Sequence, residues 1–144
     1  MEPNELLKEW AVRYVKNRDL YSGEILGVED TKTGFIVEYK KGKEEYLIAL
    51  RIEGAGLKDG LTLVTLNNSD NINTIAKKWE NLSRIKGLKI ILANPFSSQE
   101  ERWIIKPEVH AKVCYNKSVK AAMRSMAELV EPITEKEIAN KQLL

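Results

Sequence analysis

The stretch Gly23–Arg51, GEILGVEDTKTGFIVEYKKGKEEYLIALR, decides the fold. Three runs, GEILGVE, GFIVEYK and EYLIALR, mix large apolar with polar residues, and EDTKTG and KGKE separate them. Gly34 and Gly42 mark the turns. Short β-branched and aromatic runs between such turns predict an antiparallel meander. Placing Lys40 opposite Glu45 sets Tyr39 opposite Tyr46, Val37 opposite Ile48 and Phe35 opposite Leu50. Placing Glu29 opposite Gly34 sets Val28 opposite Phe35 and Leu26 opposite Val37. Alternation then puts Leu26, Val28, Phe35, Val37, Tyr39, Tyr46, Ile48 and Leu50 on one face. That face is core. The other holds Ile25, Gly27, Glu29, Ile36, Glu38, Lys40, Glu45, Leu47, Ala49 and Arg51. Its mixed character suits a solvated face or a shallow binding surface.

Working outward, residues 4–18 predict a helix. Asn4 is the expected cap, and Leu6, Leu7, Trp10, Tyr14 and Val15 recur at helical spacing. Downstream, EGAGLKDG reads as a loop and LTLVTLNN as a fourth strand. SDNINTIAKKWENLSRIKG predicts one helix, capped by Ser69 or Asp70 and closed by Gly87. LKIILANP is a buried strand that Pro95 stops. WIIKPEVHAKVC reads as extended, with Pro107 marking an edge or a break. Residues 117–130 predict a last helix. The expected domain is α+β over residues 1–131, a mostly antiparallel sheet covered by helices in the order αββββαββα. Residues 132–144 are an expected C-terminal tail beyond Pro132.

Composition bounds the function. The chain has 144 residues, 43% hydrophobic and 31% charged, with a net charge of +2. That length buries a core and fits one domain. No apolar run approaches the ~18 residues of a membrane span. The N-terminus, MEPNELLKEW, lacks the basic and apolar regions of a signal peptide, so a cytoplasmic protein is expected. A single cysteine, Cys114, excludes an internal disulfide and a cysteine-based zinc cluster. The excess of glutamate over aspartate, the many lysines and the two glutamines lean towards a thermophile.

Three constellations are weak carriers of chemistry. Asp30 with Glu38-x-Lys40 resembles the core of PD-(D/E)XK nucleases, where acids hold a divalent ion and lysine helps activate water. Glu-x-Lys is equally an ordinary pattern for a surface strand, with Lys40 paired to Glu45 across the turn. His110 and Cys114 stand four apart, ~13 Å along a strand, too far for a nucleophile and its base. EGAGLKDG lacks the GK[ST] of a phosphate loop.

A fourth carries more. Residues 102–124 hold Arg102, Lys106, Lys112, Lys117, Lys120 and Arg124 against Glu108, interleaved with Trp103 and Tyr115. The first helix adds Arg13, Lys16 and Arg18, followed by Tyr21, and the mixed sheet face adds Lys40 and Arg51. A basic groove with aromatic faces is the requirement for holding single-stranded nucleic acid. The same basic stretch also suits an acidic protein partner, which makes a scaffold or interaction module the other non-catalytic reading.

The layout resembles the archaeal ThermoDBP-type proteins, single-stranded DNA-binding proteins without an OB fold. The resemblance rests on LLKEWAVRYVKNRDLYSG, then GEILGVEDTKTGFIVEYKKGKEEYLIAL, a βαβ-like segment and a basic, aromatic-containing C-terminal third. It covers most of the chain as architecture and size, without a diagnostic short motif. It implies a small mixed domain that assembles into homo-oligomers. It also implies single strands held without sequence preference among basic and apolar side chains. No cofactor or metal is implied. DNA is the expected partner, with RNA left open. The short tail IANKQLL departs from the zipper-like C-terminal helix expected of the founding type.

Overall fold

The computed structural model describes residues 1–112 and 116–142. It is an α+β fold built on one six-stranded sheet. The strands are β1 (Ile25–Asp30), β2 (Gly34–Tyr39), β3 (Gly42–Ile48), β4 (Thr62–Leu66), β5 (Lys89–Ala93) and β6 (Arg102–Ile105), and they lie side by side in chain order. The pairs β1–β2, β2–β3 and β5–β6 are antiparallel, while β3–β4 and β4–β5 are parallel. The sheet is therefore mixed. The parallel centre follows from β4 to β5 being joined by helices, which return the chain to the starting edge. Those helices are α2 (Ser69–Lys77) and α3 (Trp79–Ser83), one predicted helix broken at Lys78. The cap is Asn68, whose side chain accepts from Asn71 N, rather than Ser69 or Asp70.

Helices cover both faces. The first, α1 (Pro3–Arg18), starts one residue before the expected cap, with Pro3 in the first turn. It lays Leu7, Trp10, Ala11, Tyr14 and Val15 over Phe35, Val37, Tyr46, Ile48, Val64, Leu66 and Ile91. On the other face, α2, α3 and α5 (Asn116–Ala127) set Ile72, Ile75, Trp79, Leu82, Val119 and Met123 over Leu63, Ile90, Leu92, Trp103 and Ile105. Burial of each such side chain contributes about 1.5–3 kcal/mol. β4 and β5 are sandwiched between the layers, and nearly every position along them is buried for that reason.

Several expectations are corrected. The meander register is displaced: Phe35 faces Tyr46 and Val37 faces Glu44, four residues from the expected pairing, and Asp30 rather than Val28 faces Phe35. Both slips are even, so the two faces keep their residues. The tight turn at Lys40–Lys41 sets the pairing, with Gly42 at φ +149°. Gly34 passes so close to the Tyr46 carbonyl that no Cβ fits there. The expected Lys40–Glu45 pair is absent, and Glu45 meets Lys58 at 2.9 Å instead. A bulge between Ile25 and Gly27 turns Leu26 out to solvent, 62% exposed, and lets Ile25 pack on the core. The chain after Ile105 is helical rather than extended: Pro107 opens α4 (Pro107–His110). Residues 132–142 of the expected tail are more than a tail, because Ile133 and Ile138 of α6 (Glu135–Gln142) and its approach are fully buried beside α1. Among the described residues no helix is long and apolar enough to cross a membrane.

Candidate nucleic-acid interface

The two edges of the sheet are chemically unlike. Open parallel sheets usually take ligands at the carboxyl ends of their strands. Here that upper edge is filled by asparagines. Asn67, just past β4, donates through Nδ2 to Ala127 O (3.0 Å) and Val130 O (2.9 Å), and accepts from Trp103 Nε1 (2.8 Å). Asn68 donates to Ile133 O and Asn94 to Glu131 O, each at 3.0 Å. Asn71 donates to Leu50 O, Thr65 Oγ1 and Leu66 O and accepts from Ile52 N. Asn67, Asn68 and Asn94 clamp the 127–133 connection onto the strand ends, and Asn71 ties the 50–52 segment to the end of β4. Buried polar groups with every partner made are structural.

The lower edge, where β3, β4 and β5 begin, is open. A cleft of about 450 Å³ lies between the end of α1 and the β2–β3 hairpin, lined by Arg18, Asp19, Glu24, Tyr39, Lys41, Lys43 and Glu44 among others. Asp19 builds one wall. Its Oδ1 accepts from Glu24 N (2.8 Å) and Ser22 Oγ (3.0 Å), and its Oδ2 from Ile25 N (3.0 Å). Desolvation pushes this carboxyl's pKa up, but the two backbone N–H groups outweigh it and hold the pKa below the ordinary range. The loop so fixed carries Leu20 and a fully exposed Tyr21. Lys40 N donates to Glu24 O at 3.0 Å and ties the hairpin to that loop.

The core that Arg18 reaches from the cleft is rich in aromatic rings. Tyr14 stacks on Trp10 at 5.6 Å, receives a hydrogen bond from Arg18 Nη1 at 3.0 Å, and lies within 5.3 Å of the guanidinia of both Arg18 and Arg102. Phe35 stacks on Tyr46 at 4.7 Å. Burial, then the Glu44 charge, raises the Tyr39 pKa. Burial and Glu44 also raise Tyr46, so both phenols stay neutral. Tyr46 Oη lies close enough to the Glu44 carboxylate for the two to interact, but neither it nor Glu44 Oε1 has an aligned hydrogen-bond partner among the described residues. A second hollow of about 240 Å³ continues along the same edge, lined by Glu44, Thr62, Lys89, Lys106 and Glu108. Burial lowers the Lys89 pKa against the opposing pull of Glu44.

The predicted site residues divide. Arg18 lines the cleft, Lys40 sits in the hairpin turn beside it, Tyr21 is on the adjoining loop and Lys106 lines the second hollow. Arg13 and Lys16 are exposed elsewhere on α1. Arg51 is held by Glu135 at 2.7 Å. Arg102 is half-buried over Tyr14. Trp103 is 2% exposed with its N–H bonded to Asn67, so it is core and not a stacking platform. Lys112 is exposed beyond α4, and Lys120 and Arg124 are exposed on α5, over the opposite sheet face from α1. Tyr115 and Cys114 lie outside the described residues, as does the side chain of Lys117. The 102–124 stretch is thus dispersed over several surfaces. Tyr39, Lys41, Lys43, Glu44 and Lys89 were missed. The signal for three of them was the run KKGKE at the hairpin, read only as a turn.

The nuclease trio does not assemble. Glu38 pairs with Gly27, three residues and about 10 Å along β1 from Asp30. Asp30 is ion-paired with Lys8 at 3.1 Å. Comparison with protein-family models, curated proteins and solved structures returned no match for this chain.

Proposed function

We propose that this protein binds single-stranded nucleic acid, DNA in the first instance, along the lower edge of its sheet, without catalysing a reaction on it. The observation that carries this reading is the cleft at the end of α1. It combines Arg18, Lys41 and Lys43 with the half-buried Tyr39, and it adjoins a loop bearing the fully exposed Tyr21. Lysines and an arginine contact backbone phosphates. Tyrosine faces stack on bases of any sequence. With Lys40 in the adjoining turn, four cations oppose Asp19, Glu24 and Glu44, and the Asp19 carboxylate is already occupied by its own loop. A duplex has its bases stacked inside and offers no face to the tyrosines.

The test is a fluorescence-anisotropy titration of a labelled mixed-sequence single strand and the matched duplex at two salt concentrations, with EDTA present. Binding to the single strand that weakens with salt through counterion release is the expected result. Equal affinity for the duplex, or no affinity for either, refutes the reading and moves the weight to a protein partner.

A further inference from the structure

Glu44 is out of place in a surface that only grips phosphates. It lines both the first cleft, beside Lys41 and Lys43, and the second hollow, beside Lys89 and Lys106. It stands opposite Val37 in the ladder, on the sheet face that α1 covers, so it is half-buried rather than solvated. Tyr46 Oη is its neighbour, but its Oε1 has no aligned partner among the described residues. A carboxylate between cations repels a phosphate and weakens their hold on it. What a carboxylate gains from is N–H, and charge assistance makes such a bond roughly twice as strong as a neutral one. In a single strand only the bases supply N–H groups. Cytosine, adenine and guanine carry amino groups on their pairing edges. Thymine and uracil carry one imino N–H flanked by two carbonyl oxygens, which a carboxylate repels.

Resting on the strand-binding reading above, we propose that Glu44 reads one base of the bound strand. It favours an amino-bearing base over thymine or uracil, with that base against Tyr39 and phosphates held on either side by the two lysine pairs. The remaining positions stay sequence-neutral.

The experiment is competition anisotropy on the full chain with oligo-dC and oligo-dT of equal length at pH 8. The wild type is expected to bind oligo-dC about tenfold more tightly. In Glu44→Gln the ratio should fall to within about twofold, chiefly because oligo-dT binds better once the repelling charge is gone. Circular dichroism confirms that the variant is folded, with Glu44→Ala as the second variant. Equal binding of both strands by the wild type overturns the proposal and leaves the strand-binding reading standing. So does a preference that survives in Glu44→Gln, or a variant that gains equally on both strands. No binding of either strand by the wild type removes both.

Discussion

The upper and lower edges of one sheet carry polar groups of similar number and opposite fate. Above, Asn67, Asn68, Asn71 and Asn94 have their hydrogen bonds made inside the protein, and Arg102 Nε, beside Ala93, is the exception. Below, Glu44 Oε1 and Tyr46 Oη are buried without aligned partners, and Lys41, Lys43 and Lys89 border open hollows. Saturated groups hold a fold together, and unsaturated ones beside a cleft are free for a ligand. The proposed function accordingly gives the upper edge to stability and the lower to binding. Variants at each should move only one of the two measurements.

The largest effect is expected at the upper edge. Asn71→Ala orphans Ile52 N and three acceptors, and about 3 kcal/mol or more of stability should be lost in urea unfolding. Strand affinity of the folded fraction should not change. Next is Tyr21→Ala, which removes a stacking face from a fully exposed position. It should weaken strand binding by ~1–3 kcal/mol and leave the unfolding midpoint alone. The double variant Lys41→Ala, Lys43→Ala should flatten the dependence of log affinity on log salt by about 1.4, two phosphate contacts' worth on a single strand. If that slope holds, the lysines do not touch phosphate.

Two smaller effects sharpen the contrast. Tyr46→Phe removes a hydroxyl with no aligned partner, and stability should stay level or rise by up to about 1 kcal/mol. A loss above that would show that Tyr46 and Glu44 are properly bonded. Asp19 has a depressed pKa in the fold, so its contribution is present above the ordinary carboxyl range and is lost as pH falls through the depressed value. Unfolding measured below about pH 4 should therefore show less acid sensitivity in Asp19→Asn than in the wild type.

Much of the fold was legible and little of the site. Period-two alternation placed the residues of β2 and β3 on the correct faces even though the register was displaced, because an even slip moves nothing across the sheet. The bulge at Leu26 escaped that logic, since one extra residue reverses the alternation locally. Pro107 was ambiguous because proline both breaks a strand and opens a helix. Helix α6 was hidden because only Ile138 on its short length is buried. The predicted site residues do not gather in one place for a different reason. Basic density along 102–124 is not basic density in space: a strand, two helices and a connection send those charges to different surfaces. Trp103 looked like a platform by neighbourhood, while β-strand alternation with the buried Ile105 already set it on the inner face. The cleft and the hollow beside it instead join residues 18–24 to 39–44 and 89, which only the folded sheet brings together.

The most direct test of the central claim is amide chemical-shift mapping on addition of a short single-stranded oligonucleotide. Binding along the lower edge predicts shifts concentrated at residues 18–24, 39–44, 89 and 106, with the asparagines of the upper edge undisturbed. Shifts centred on Lys120 and Arg124 of α5, or spread around Asn67 and Asn94, would contradict it.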